Sequence, residues 1–386
     1  MSPAVSLNSL LVLSSVVSSV SGLIVPKPLA TDIDIPEGIG FTTIDWGNEG
    51  ENKLYSSKER ITKKQAKKGI FTAADCRVSF KTLMEGGVTF VETSPKYGKQ
   101  LRGEEQSAEH LVAQGSAANW KKTPVLSTKY NPVPILQSSG SVVKSLEKSL
   151  ERLETSYVDL YQVDFQKFNF LSSKSKIADG LATCIDRGLC TNVGVCNLGA
   201  GALQSFASKL EDRGANLSTN QVEFSLVNRQ ALFDGTLEMC EDLGVLPLAT
   251  NPLGNDLASG VYTASNPTGG RVGQAKYDFN TLGPLKPLHD ALADIRKVAR
   301  DRMWDEFYER KEANNRNYKL PPISGDFDRE VTTTQISLMY VKAKGLVPLM
   351  EVRNKRDALE LLGVVGYSLT EDEVKVLDKA AAKCGL

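Results

Sequence analysis

The chain has only two histidines, His110 and His289, in 386 residues. That leaves few candidates for an imidazole acid or base. Its six cysteines (Cys76, Cys184, Cys190, Cys196, Cys240 and Cys384) form no C-x-x-C pair. They suit reduced, packed thiols rather than a disulfide or zinc framework, and no metal centre is expected. Lys plus Arg and Asp plus Glu are each 46, so the formal net charge is zero. No global field draws such a chain to nucleic acid or acidic lipid. No run approaches the ~18–20 apolar residues of a transmembrane segment. An early glycine-rich dinucleotide fingerprint is also missing, which argues against an open doubly wound sheet.

What is present is ordinary globular composition, 41% hydrophobic and 24% charged. This suits one large α/β domain with extensions. Residues 1–31 stand apart: they hold no acid and one base, Lys27, and serine interrupts every apolar run. "SVSG", Ser19 to Gly22, offers small residues for cleavage. This segment reads as a targeting presequence lacking the usual basic start, with a plain tail as the alternative. The folded domain is then expected over 32–386.

From about residue 40, β-rich runs alternate with helical ones. "VTFVET" (88–93), "PVLSTKY" (124–130), "YVDLYQVD" (157–164), "TNVGVCN" (191–197), "NQVEFS" (220–225), "GVLPLAT" (244–250) and "GLVPLM" (345–350) read as strands. An eighth lies near "GIGFTTIDWG". Between them, "SVVKSLEKSLERLE" (141–154) places Val143, Leu146, Leu150 and Leu153 at helical spacing. Such alternation implies a parallel sheet covered by helices, and eight units imply a single (β/α)8 TIM barrel. Residues 290–330 break the rhythm as a charged helix-loop insertion before the last unit, carrying Trp304, Phe307 and Tyr308. A solvated helix with one aromatic stripe explains it; a lid or an element for a protein partner is the alternative.

Active sites of such barrels lie at the C-terminal strand ends. Those ends carry Glu92, Lys129, Asp164, Asn197, Gln221 and Asn251, with Tyr97 five residues past Glu92. Titratable groups converging from different strands mark a candidate site.

From about residue 70 onward the chain resembles the aldo-keto reductases, most of all their plastid-associated branch. "GGVTFVETSPKYG" resembles the segment in which a strand-end Asp precedes the catalytic Tyr by five residues. "VLSTKY" resembles the strand with the catalytic Lys, and "YVDLYQVDFQ" the strand that ends in a catalytic His. "GLCTNVGVCNLG", "NQVEFSLVNR" and "GYSLTEDEV" resemble the nicotinamide-binding strands and the closing helix. The resemblance implies NADP(H) bound without a Rossmann domain and reduction of a small carbonyl. It carries the catalytic roles to Tyr97, Lys129, Glu92 and Asp164. Cofactor roles fall on Cys196, Asn197, Gln221, Thr250, Asn251, Leu253, Arg353, Asn354 and Asp357, with Arg353 at the position for the 2′-phosphate. The plastid branch implies that residues 1–31 direct the protein to a plastid; the secretory pathway or the cytosol is the alternative.

The departures carry as much information. Glu92 stands for the family Asp and Asp164 for its His; Cys196 replaces a serine and Thr250 a stacking tyrosine. Asp256 replaces a glycine, Met350 and Glu351 replace Pro-Gly, and Leu361 replaces a polar adenine contact. An ionised carboxylate beside Tyr97 would raise the phenol's pKa, so Asp164 would assist only when protonated. A protonated Asp164 resembles the branch in which Glu at this position accompanies enone reduction. Two readings result: an NADPH-dependent reductase of a carbonyl or enone with altered acid chemistry, or a pseudoenzyme barrel kept for binding, assembly or structure.

Overall fold

A computed structural model describes residues 33–46, 73–98, 107–117, 123–132, 138–165, 173–269, 277–313 and 331–386, without the side chains of 300, 301 and 303–313. The proposed presequence, the 314–330 part of the insertion and the Trp304, Phe307 and Tyr308 side chains lie outside them. Eight parallel strands close into a barrel in sequence order. They are β1 (Gly40–Thr42), β2 (Phe90–Glu92), β3 (Val125–Tyr130), β4 (Val158–Asp164), β5 (Cys190–Cys196), β6 (Leu217–Glu223), β7 (Leu246–Thr250) and β8 (Val347–Glu351). β8 closes the barrel on β1, with Thr42 opposite Glu351. The expected (β/α)8 barrel is therefore the fold. β6 begins at Leu217 rather than Asn220; its first residues include Ser218 and Thr219, polar side chains buried against Asn192 and Gln162.

Strand alternation sorts each strand into an inner and an outer set. On β4, Leu160, Gln162 and Asp164 share the inner face. Tyr161 faces out, and its hydroxyl donates to the Val142 carbonyl at 3.0 Å on the covering helix. The barrel interior then forms levels. At the bottom, Phe90, Leu160, Leu248, Val347 and Leu349 pack with Ile33. Above them lies a polar level: Gln162 Nε2 donates to Ser127 Oγ at 3.1 Å and to Gln221 Oε1 at 3.0 Å. Buried amides need such partners, since an unpaired one costs about 1–3 kcal/mol. The upper level holds Thr42, Glu92, Lys129, Asp164, Cys196, Thr250 and Glu351, at or next to the strand ends.

The main apolar core lies between barrel and helices. Helix Ser139–Leu153 buries Val142, Val143, Leu146, Leu150 and Leu153 and starts with a Ser138–Ser141 capping box. The segment expected as an insertion from about residue 290 enters within helix Lys286–Ala313, whose first half packs against the core. Leu288, Leu292, Ile295 and Ala299 are buried at helical spacing. This helix packs on the closing helix Glu371–Lys383 and ties to it through Arg302 Nη2 and Glu373 Oε2 at 2.8 Å. Among the described residues no helix is long and apolar enough to cross a membrane.

Gly194 on β5 lets the polar level close. A Cβ there would lie 2.1 Å from Thr219 Oγ1 and 3.2 Å from Gln162 Cγ. Gly194→Ala is expected to destabilise the barrel by about 1–3 kcal/mol through overpacking. A urea midpoint unchanged from wild type would contradict this packing.

Candidate active site

Glu92, at the end of β2, has no solvent exposure. Its Oε1 receives Lys129 Nζ at 2.8 Å and the Tyr97 hydroxyl at 3.1 Å. Its Oε2 accepts a close hydrogen bond from Thr42 Oγ1 at the end of β1. Lys129 Nζ also donates to the Tyr97 oxygen at 3.1 Å, closing a triangle of acid, base and phenol. Tyr97 reaches this triangle from the turn after β2, where its amide donates to the Ser94 carbonyl at 3.0 Å.

Burial and the adjacent Glu92 carboxylate push the Tyr97 phenol well above the usual tyrosine range, and Lys129 opposes them. Burial works against the Lys129 charge, while the Glu92 carboxylate 2.8 Å away favours it, and the ammonium is held above the usual lysine range. At neutral pH the triangle is thus a protonated phenol between an ammonium and a carboxylate. The anion that raises the phenol is Glu92. The extra methylene of Glu over Asp carries the carboxylate out to the hydroxyl itself.

Asp164 lies at the end of β4, and its Oδ1 accepts from Asn197 Nδ2 at 3.3 Å. Asn197 follows β5 in a left-handed conformation, φ +64°, which Asn tolerates better than most residues. Cys196 is buried, its Sγ 3.8 Å from Gln162 Oε1 and 3.7 Å from Gln221 Oε1. Burial pushes its thiol up to about 12, so it stays protonated. The Asn197 backbone amide donates to the Gln221 carbonyl at 2.9 Å, while the two side chains turn to Asp164 and Gln162 respectively.

Thr250 ends β7 half-buried, and the loop beyond it is unusually wound. Asn251, Gly254, Asn255 and Asp256 all have positive φ, Asp256 at +74°. That conformation explains why a glycine suits the Asp256 position. Asn251 steadies the loop: Nδ2 donates to Glu223 Oε1 at 3.0 Å and Oδ1 accepts from the Asn255 amide at 2.7 Å. Leu253 packs against the core, and its carbonyl accepts from the Ala258 amide at 2.9 Å. Three successive carbonyls of the loop are held from behind. Leu257 O accepts from His289 Nε2 at 2.9 Å, Ala258 O from Ser337 Oγ at 2.5 Å, and Ser259 O from Thr333 Oγ1. His289 is thus a strut for this loop.

Beyond β8, Asn354 caps helix Lys355–Leu362 by accepting from the Arg356 and Asp357 amides. Asp357 Oδ2 accepts from the Arg353 amide at 3.0 Å and from Asn354 Nδ2 at 3.2 Å. The Arg353 guanidinium is held by carboxylates: Nε lies 2.6 Å from Asp45 Oδ2 and Nη2 lies 2.6 Å from Glu351 Oε2. Burial and Asp45 push the Glu351 carboxyl up to about 7, with Arg353 pulling it down and Asp256 adding to the rise.

Thr42, Asp45 and Gln162 escaped the sequence reading. Asp45 lies in "TTIDWG", past Thr43 and Ile44 after the end of β1 at Thr42, so a search of the turn beyond the first strand finds it. Gln162 had a signal too, as an amide between Leu160 and Asp164 on the inward face of β4.

The aldo/keto reductase family profile matches residues 64–382. The chain belongs to the aldo/keto reductase family. A chloroplastic pyridoxal reductase of Arabidopsis thaliana is 26% identical over 351 residues, covering 89% of this chain and 82% of the relative. A thermostable aldo-keto reductase solved with the inhibitor epalrestat superposes with TM-score 0.62 at 21% identity, covering 92% of this chain and 99% of that one. One from Klebsiella pneumoniae in complex with NADPH superposes at 0.60 and 18% identity, covering 92% and 95%. These two likenesses concern the fold. Against the residues that the family resemblance implies, the triangle holds the longer acid Glu92, and Asp164 stands at the end of β4 where a histidine is expected.

The triangle has a stability consequence. Lys129→Met leaves the Glu92 charge buried without its cation, at an expected cost of about 3–5 kcal/mol. Adding Glu92→Gln should recover most of that loss. Urea melts of both variants check it: a single variant as stable as wild type would contradict the buried ion pair.

Proposed function

We propose that this family member is an NADP(H)-dependent oxidoreductase that reduces a small carbonyl. The observation that carries the reading is the Tyr97 hydroxyl held at 3.1 Å from both Lys129 Nζ and Glu92 Oε1. The donor set suits the cofactor: two amides, Asn197 and Gln221, for the carboxamide, and a guanidinium, Arg353, beside a capped helix N-terminus for phosphate. Asn354 and Asp357 shape that helix start, while Thr250, Asn251 and Leu253 shape the loop facing it. When bound, NADPH supplies the hydride.

The rest is done by the chain. Tyr97 keeps its proton at neutral pH because burial and Glu92 disfavour the phenolate. The proton passes to the substrate oxygen as negative charge develops there. Lys129, 3.1 Å from the phenol oxygen, stabilises the phenolate left behind. Glu92 holds Lys129 in place yet also accepts the Tyr97 proton's hydrogen bond, which weakens the acid. Asp164 lines the substrate side with a carboxyl paired to Asn197. An enone is the alternative substrate if that carboxyl is protonated and donates to the carbonyl oxygen. The similarity to a pyridoxal reductase makes pyridoxal the first aldehyde to test.

Tyr97→Phe should lower the rate of aldehyde-dependent NADPH oxidation by about 10²–10⁴-fold. Glu92→Asp should raise the rate, because the shorter acid withdraws from the phenol while still reaching Lys129. Asp164→His should raise carbonyl reduction and lower enone reduction. One observation favours the pseudoenzyme reading: Arg353 is already engaged by two carboxylates. A protein that binds no NADPH, or reduces neither substrate class before and after Asp164→His with Glu92→Asp, would be that pseudoenzyme.

We also propose that residues 1–31 deliver the protein to a plastid and are then removed. Their acid-free, serine-rich composition supports this, as does the chloroplastic relative. Incubation of the full chain with isolated plastids should yield a shortened, protease-protected product. A chain that stays outside at full length would refute it.

A further inference from the structure

The mouth of the barrel contains a device that the acid triangle does not use. One guanidinium, Arg353, is shared between carboxylates from two different strand ends. Asp45 follows β1 and takes Nε at 2.6 Å; Glu351 ends β8 and takes Nη2 at 2.6 Å. Trp46, the neighbour of Asp45, is fully buried and donates from Nε1 to the Val352 carbonyl at 2.7 Å, which locks the two loops together. The adjacent Nε and Nη2 donors form the fork with which arginine grips phosphate. Here that fork is already filled by internal acids. Asp256, in the loop after β7, adds to the negative charge felt by Glu351, and Asp357 Oδ2 accepts from the Arg353 backbone amide at 3.0 Å.

We propose that Asp45 and Glu351 compete with the cofactor's 2′-phosphate for Arg353, and that Glu351 takes up a proton when the phosphate binds. The inference rests on NADP(H) being the cofactor. Its argument is one of charge. A dianionic phosphate entering beside four carboxylates, Asp45, Glu351, Asp256 and Asp357, and the single guanidinium of the fork meets net repulsion. Neutralising one carboxylate relieves it and frees Nη2. Glu351 is the group poised for this, since Asp45 and Asp256 crowd it with like charge and burial disfavours its anion, holding it at about 7. Its folded-state value lies above the ordinary carboxylate range, so the protonated, permissive form dominates below pH 7 and is lost as pH rises through it. Asp45 and Glu351 thus become specificity-determining residues for the cofactor.

The test is calorimetric titration of the wild-type protein with NADPH in two buffers of different ionisation heat. At pH 8 about one proton should be taken up per NADPH bound, and affinity should fall about fivefold from pH 7 to 8. NADH, which lacks the 2′-phosphate, should bind without that uptake. Glu351→Gln should bind NADPH without uptake and with affinity independent of pH over this range. Binding of NADPH to wild type without proton uptake, or equal uptake with NADH, overturns the inference and leaves the cofactor reading intact. No binding of NADPH by either protein at pH 6 to 8 overturns the cofactor reading and this inference with it.

Discussion

Glu92 has no exposed surface, and the upper barrel is arranged around keeping its charge there. Removing a carboxylate from water costs roughly several kcal/mol after relaxation. Three donors from three places in the chain offset that cost: Thr42 on β1, Tyr97 in the turn after β2 and Lys129 on β3. The side chains that would do acid chemistry are therefore the same ones that satisfy a buried anion. Stability and reactivity are coupled at this point. The phenol cannot be made more acidic by removing the carboxylate without leaving Lys129 desolvated and unpaired. A shorter acid is the change that separates the two effects.

The same logic extends down the barrel. Gln162, Ser127, Thr219 and Gln221 place a polar level directly beneath the strand-end groups, so the site rests on hydrogen bonds rather than on an apolar floor. A hydrogen-bonded level has directional partners, and it locks the Gln221 side-chain orientation through Gln162 at 3.0 Å. Gly194 is what lets β5 approach that level closely.

The barrel was legible because strand and helix periods alternate eight times, and strand ends are where alternation stops. Glu92, Lys129 and Asp164 could be placed together from that rule alone, and Tyr97 from its spacing. What could not be read was the pairing. Charge type says nothing about whether Asp164 or Glu92 faces the phenol; that depends on which inward position each strand presents and on one methylene of reach. The sequence reading placed the disturbing anion at Asp164, whereas Asp164 turns to Asn197 at 3.3 Å and Glu92 meets the phenol. Likewise, Arg353 was legible as a cation at the last strand end. Its partner Asp45 lies 308 residues away in sequence, and only barrel closure between β8 and β1 brings the two together.

The closure also explains why the departures from the family pattern fall in related places. Thr42 pairs with Glu351 across the β1–β8 seam and with Glu92 across β1–β2. The buried anion of the triangle and the carboxylate on Arg353 are thus both register partners of one β1 residue. An extra methylene at position 92 and an acid at position 351 each add negative potential to the same mouth, where Lys129 and Arg353 are the cations that hold it. Such a mouth disfavours further anions unless a proton or cation accompanies them. In the proposed reduction, by contrast, negative charge would develop on the substrate only as the proton arrives from Tyr97. On that proposal the selective burden falls on cofactor entry more than on the chemical step, and on the seam where β8 meets β1 more than on the end of β4.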